Sequence, residues 1–161
     1  MLPALILLTL LAQSPDPTQP PTNAHLAYTV EGRGVQIYRC TQQASAYTWV
    51  FQSPEATLYD TSTHKQTGTH AAGPTWTWND GSSITGKVLQ KSPSPDPASV
   101  PWLLLATTPA NTTPGALTPI ALVRRSDTHG GNAPATGCDA QHAENILRVP
   151  YTATYTFYTA P

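Results

Sequence analysis

Tyr151-Thr152-Ala153-Thr154-Tyr155-Thr156-Phe157-Tyr158-Thr159 alternates residue by residue without a break. Side chains of an extended chain point to opposite faces in turn, so Tyr151, Ala153, Tyr155 and Phe157 share one face, and Thr152, Thr154, Thr156 and Tyr158 the other. One face is large and apolar; the other is rich in threonine, which favours a pleated, half-exposed surface. The stretch reads as a half-buried strand.

The same period recurs upstream. Tyr47, Trp49 and Phe51 alternate likewise, and strands are expected over Gly34 to Cys40, Tyr47 to Gln52, Ala56 to Asp60, Thr75 to Asn79, Ser83 to Gln90, Trp102 to Thr107 and Pro119 to Arg125. Trp102-Leu103-Leu104-Leu105-Ala106 is apolar throughout, which predicts a strand buried on both faces at the centre of the core. Asn79-Asp80-Gly81 carries the positive φ preference of a type I′ turn and predicts that Thr75 to Gln90 forms one hairpin. Ser92 to Pro101, Thr107 to Pro119 and Asp127 to Cys138 are proline- or glycine-rich loops, the last leading into a short helix over Asp139 to Asn145. Short alternating runs separated by turn signals predict an all-β chain, a single-domain antiparallel β-sandwich or barrel with long Pro/Gly-rich loops.

The 161 residues suit one domain, and at 39% hydrophobic with a net charge of -1 the chain has enough apolar material for a core. Charged residues make up only 11%, so Thr, Ser, Gln and Asn must supply most of the polar surface. Arg124-Arg125 is the one adjacent basic pair, which excludes nucleic acid as a partner, since phosphate binding needs clustered cations.

Met1 to Ala12 is a short apolar run followed by a proline-rich stretch, and it fits a secretory signal peptide cleaved near Ala12. It lacks a preceding Lys or Arg and carries Leu10 at the minus-three position, so an uncleaved anchor is the rival reading. Residues 13–23 read as a stiff, Pro-rich linker and residues 24–161 as the domain, placing the protein in a secreted or periplasmic location with no stable membrane insertion after cleavage. Two cysteines in an exported chain suggest a bridge; Cys40 and Cys138 would close a loop of roughly 100 residues worth up to ~4.7 kcal/mol. Two buried free thiols are the alternative.

Motifs for known chemistry are missing. There is no phosphate-binding loop, His-Glu-x-x-His, Cys-x-x-Cys or Gly-x-Ser-x-Gly. Gly32-Arg33-Gly34-Val35-Gln36-Ile37 starts like a dinucleotide fingerprint, but Ile37 stands where the third glycine belongs and a strand follows, so the stretch reads as a turn. A nicotinamide-dependent dehydrogenase is excluded, and no cofactor is expected. His25, His64, His70, His129 and His142 show no compact zinc spacing, and no metal ligand or catalytic residue is assigned. His64 and His70 would share a face of one strand, but Gly68 interrupts it. Asn111-Thr112-Thr113 is a glycosylation sequon, meaningful only in a eukaryotic secretory pathway.

Unusual residues crowd together only from His70 to Ser82. Trp76 and Trp78 share a strand face roughly 7 Å apart, forming either a core wall or a platform on which a sugar ring could stack. With His70 beside them and the polar loop Asp127-Thr128-His129-Gly130-Gly131-Asn132, the candidate ligand-binding residues are His70, Trp76, Trp78, Asp127, His129 and Asn132. They suggest a non-catalytic domain of the cell envelope or extracellular space binding a carbohydrate or another neutral small molecule. A small hydrolase or metal-dependent enzyme centred on His70 and His129, with Asp80 or Asp127 assisting, is the alternative; a purely structural secreted domain is the third.

Gly34-Val35-Gln36-Ile37-Tyr38-Arg39-Cys40, Gly68-Thr69-His70 leading into Gly73-Pro74-Thr75-Trp76, Pro101-Trp102-Leu103-Leu104-Leu105, Thr128-His129-Gly130-Gly131-Asn132-Ala133-Pro134 with Gly137-Cys138, and Tyr151 to Tyr158 occur in an order that resembles the family called domain of unknown function 3455. The resemblance runs from about Ala27 to Tyr158 and implies an exported protein of bacterial or fungal type, with no established activity or ligand. It also implies that Cys40 and Cys138 recur together, which favours the bridge. Thr61 to Thr67 departs from the pattern, so His64 inherits no role.

Overall fold

In the computed structural model, residues 15–160 are described; the signal peptide expected over residues 1–12 lies outside them. Apolar alternation is realised in eight strands: β1 (His25–Gln43), β2 (Ala46–Asp60), β3 (Gln66–Ala71), β4 (Thr75–Trp78), β5 (Ser83–Ser92), β6 (Trp102–Pro109), β7 (Ile120–Gly130) and β8 (Ile146–Thr159). Each pairs antiparallel with the next and β8 returns to β1, so the sheet closes. Closure decides between sandwich and barrel, and it leaves no unpaired edge.

Tyr151, Ala153, Tyr155 and Phe157 are all buried, facing the barrel interior beside Val30, Leu58, Trp76, Ile84, Leu105 and Val123. Leu104, on the opposite face of β6, is buried as well, so that strand is shielded on both sides. Beside it on the outer wall, Arg124 meets Asp16 at 2.7 Å and stacks over Trp102 at 5.3 Å. Thr18 is buried there too and accepts from Arg124 Nε, so residues 16–19 form a turn held against the outside of β7.

Several local expectations change. Gly32 to Ile37 is no turn: β1 runs through it, because the missing side chains make room for neighbours. A Cβ on Gly32 would lie 2.6 Å from the Tyr155 ring, and one on Gly86 2.8 Å from the Trp76 ring. Glycine here lets large rings lie flat against the wall. Tyr47 to Gln52 and Ala56 to Asp60 are one strand, joined across a register shift opposite Ile37 and Tyr38 that absorbs Gln52 as a bulge. An unexpected strand, β3, carries His70. The helix expected over Asp139 to Asn145 shrinks to a 3₁₀ turn, Ala140–His142, capped by the Asp139 carboxylate.

The hairpin of β4 and β5 is present, but its turn is not of the expected type. Only Gly81 takes a positive φ, +85°, while the Asp80 carboxylate accepts from the Ser82 and Ala116 amides. That second bond draws residues 110–119 across one end of the barrel, where Leu117 is fully buried. The opposite end is built from the β3–β4 turn, the Ser92 to Pro101 loop and the β7–β8 connection. Cys40 and Cys138 are disulfide-bonded with Cα atoms 5.3 Å apart, pinning that last connection to β1.

Candidate functional site

At that second end the barrel opens into a cavity of about 680 Å³. Leu103, Leu105, Val100, Pro54 and Pro74 supply apolar walls, and Phe51 and Val88 stand exposed at the rim. Polar groups reach it from five strands: Gln36 and Tyr38 from β1, Gln52 from β2, His70 from β3, Lys91 from β5 and Arg125 from β7.

His70 is 3% exposed. Its ring stacks on Trp76 with centroids 4.6 Å apart and 11° between planes, and the edge contact to Tyr155 spans 5.1 Å. Nδ1 lies 3.0 Å from the Thr75 carbonyl oxygen, an obligate acceptor, so the neutral ring carries its proton on Nδ1. Nε2 is left as a lone-pair acceptor with no protein donor among the described residues. Burial drives the His70 pKa down to about 3, since the charged ring would lose its hydration, and the Arg125 charge pushes the same way against the Thr75 bond. His70 is neutral at any ordinary pH.

Gln36 is 2% exposed, and its Nε2 has no hydrogen-bond acceptor. Such a buried amide donor costs about 1–3 kcal/mol unless something entering the cavity accepts from it. Tyr38 donates to the Gly131 carbonyl at 2.6 Å, and the Tyr151 and Tyr155 hydroxyls lie 3.0 Å apart. Burial raises the pKa of all three phenols, so they stay protonated. Arg125 donates from Nε and Nη2 to the Pro101 carbonyl at 3.0 and 2.8 Å. It has no carboxylate partner among the described residues.

These positions regroup the residues expected from sequence. His70 and Asn132 do line the cavity; Asn132 also donates to the Pro97 and Ser99 carbonyls and so anchors the rim. Trp76 is 1% exposed and forms the wall beneath His70, while Trp78 packs on Phe157 and Tyr28 toward the closed end. The stacking platform is therefore corrected to a core wall: period two turns both indoles inward, and a closed barrel has no second apolar face to offer. Asp127 and His129 are exposed on β7 outside the cavity, so His70 and His129 do not share a cleft. No group of three or more His, Cys, Asp or Glu that could hold a metal occurs among the described residues.

Gln36, Tyr38, Lys91 and Arg125 are cavity residues that the sequence reading passed over. Arg125 carried a usable signal: in a strand it shares a face with the buried Val123, whereas Arg124 faces away.

Residues 20–159 match the family described as "Protein of unknown function (DUF3455)". The chain belongs to this family. Its members' shared segment therefore comprises the whole barrel, with β1 to β8 and both bridged cysteines inside it. No curated protein and no solved structure matches the chain.

Proposed function

We propose that this DUF3455 protein is an exported, non-catalytic binding domain that holds one small molecule with an apolar body in the mouth of its barrel. The observation that carries the reading is the cavity itself. At about 680 Å³ it falls in the usual range for small-molecule sites, and eight strands make a barrel wide enough for one such ligand. Its lining includes Gln36, whose buried Nε2 has no hydrogen-bond partner and is of the kind that orients a guest.

Export is supported by the apolar N-terminus and by a disulfide that fits an extracellular or periplasmic protein. A sugar is a poorer guest than an aliphatic or aromatic molecule, because the indoles expected to stack on it line the core and most of the cavity wall is apolar. Catalysis is disfavoured by His70 itself: a base of pKa about 3 draws protons weakly at neutral pH, and no carboxylate or thiol among the described residues lines the cavity to act with it.

Titration with the neutral, environment-sensitive dye Nile red tests the proposal. Saturable fluorescence enhancement is expected for the wild type, and Leu103→Trp, which fills the cavity, should abolish it while the far-ultraviolet circular dichroism stays that of a barrel. Equal enhancement in a folded Leu103→Trp variant would place the dye elsewhere and defeat the reading.

A further inference from the structure

Resting on the binding role proposed above, we infer that the guest is an organic anion, an apolar body ending in a carboxylate, whose charged end is received by Arg125 and Lys91. Strand register puts the two cations together. Lys91 pairs with Leu103 and Leu103 with Arg125, so β5, β6 and β7 present the three side chains on one face, and Leu103 and Arg125 show that this face looks into the cavity. Two interstrand spacings separate the cations' backbones by about 10 Å. Both side chains are long enough to converge on one carboxylate from that distance, with Lys91 at the exposed rim and Arg125 deeper in the wall.

Nothing among the described residues neutralises them. Neither cation is in an ion pair, and no Asp or Glu lines the cavity among the described residues. The neighbouring titratable groups carry no negative charge, since Tyr38, Tyr151 and Tyr155 are protonated and His70 is neutral. Two positive charges in a concave apolar wall focus their field on the opening and draw in anions. A partly buried guanidinium left without a counter-charge is unfavourable, and an entering carboxylate relieves that.

Arg125 is also prepared for the task. Two of its N–H groups clamp the Pro101 carbonyl, which fixes the plane of the fork before any ligand arrives. Gln36 adds a neutral donor from β1, and its Nε2 has no other acceptor. The rest of the guest meets Leu105 below and Phe51 and Val88 at the rim, so the site suits one acidic group on an apolar body better than a sugar phosphate or a polyanion.

Dodecanoate and dodecanol, both kept below their aggregation limits, serve as probes that displace Nile red from the full mature chain. Dodecanoate is expected to displace the dye at concentrations at least about tenfold lower than dodecanol, the worth of one charge-assisted hydrogen bond. Added salt should weaken dodecanoate alone. Lys91→Gln, at an exposed position, should reduce this preference, read as the ratio of acid to alcohol displacement within the one variant, and Arg125→Gln should reduce it further. Equal displacement by acid and alcohol, or a preference untouched in Lys91→Gln, overturns the inference but leaves the binding domain standing. Failure of Nile red and both probes to bind overturns the binding reading and the anion site with it.

Discussion

His70 makes the stability of the barrel depend on pH. Its folded pKa is about 3 against an ordinary 6.5, so the unfolded chain takes up the proton more readily than the folded one. Stability is therefore complete above about pH 6.5 and falls as the pH drops, by about 1.4 kcal/mol per unit, until the folded ring itself titrates near pH 3. Between pH 7.5 and 5.0 the loss is about 2 kcal/mol, confined to the portion below 6.5, and by pH 3 it reaches about 5 kcal/mol. Asp60, Asp80, Asp96 and Asp139 also have lowered pKa values, held down chiefly by hydrogen bonds. Their contributions persist above about pH 4 and fade only below it, so these carboxylates do not account for a slope between pH 5 and 6.5. Urea unfolding followed by tryptophan fluorescence at pH 7.5, 6.5, 5.5 and 5.0 measures the slope. His70→Gln should flatten it in that interval, whatever the variant does to absolute stability. A wild-type stability constant to within about 0.5 kcal/mol across the interval, or an unchanged slope in His70→Gln, would show that the ring is hydrated or paired rather than buried and neutral.

Replacing Cys40 and Cys138 together with alanine should cost up to ~4.7 kcal/mol by the loop-entropy argument, read as a fall in unfolding midpoint that matches reduction of the wild type. Gly86→Ala is expected to destabilise by about 1–3 kcal/mol, because the added carbon would lie 2.8 Å from the Trp76 ring and 3.1 Å from Leu105; an unchanged melting temperature would contradict that packing. Arg124→Gln should release residues 16–19 from β7, detected as faster amide exchange at Thr18, while Nile red binding stays at the wild-type level.

The fold was legible wherever alternation and burial coincide. In β8, every second residue is apolar because one face packs on the core and the other meets solvent. Legibility failed where a glycine does its work through absence. Gly32 and Gly34 have the composition of a turn, yet they sit inside β1 because Tyr155 and the β2 backbone press against them. Gly68 hid β3 in the same way, since the Thr77 and Trp78 backbone occupies the place of its side chain. A single sequence records that a residue is small but not which ring or neighbouring strand requires it.

The site was harder to see for a different reason. His70 drew notice through its tryptophan neighbours, but the cations of the mouth lie 34 positions apart, at Lys91 and Arg125, and only the registers of β5 on β6 and β6 on β7 bring them level. Arg124 and Arg125 show how much that register decides. As neighbours in sequence they look like one weak basic patch, but the two-residue period of β7 sends them to opposite sides of the wall. Arg124 finds Asp16 and Trp102 outside and becomes a clasp for the N-terminal turn. Arg125 finds a carbonyl, protonated phenols and a cavity, and no acid among the described residues. Identical side chains one residue apart thus acquire unrelated roles, and the one left without a counter-charge is the one that points to a ligand.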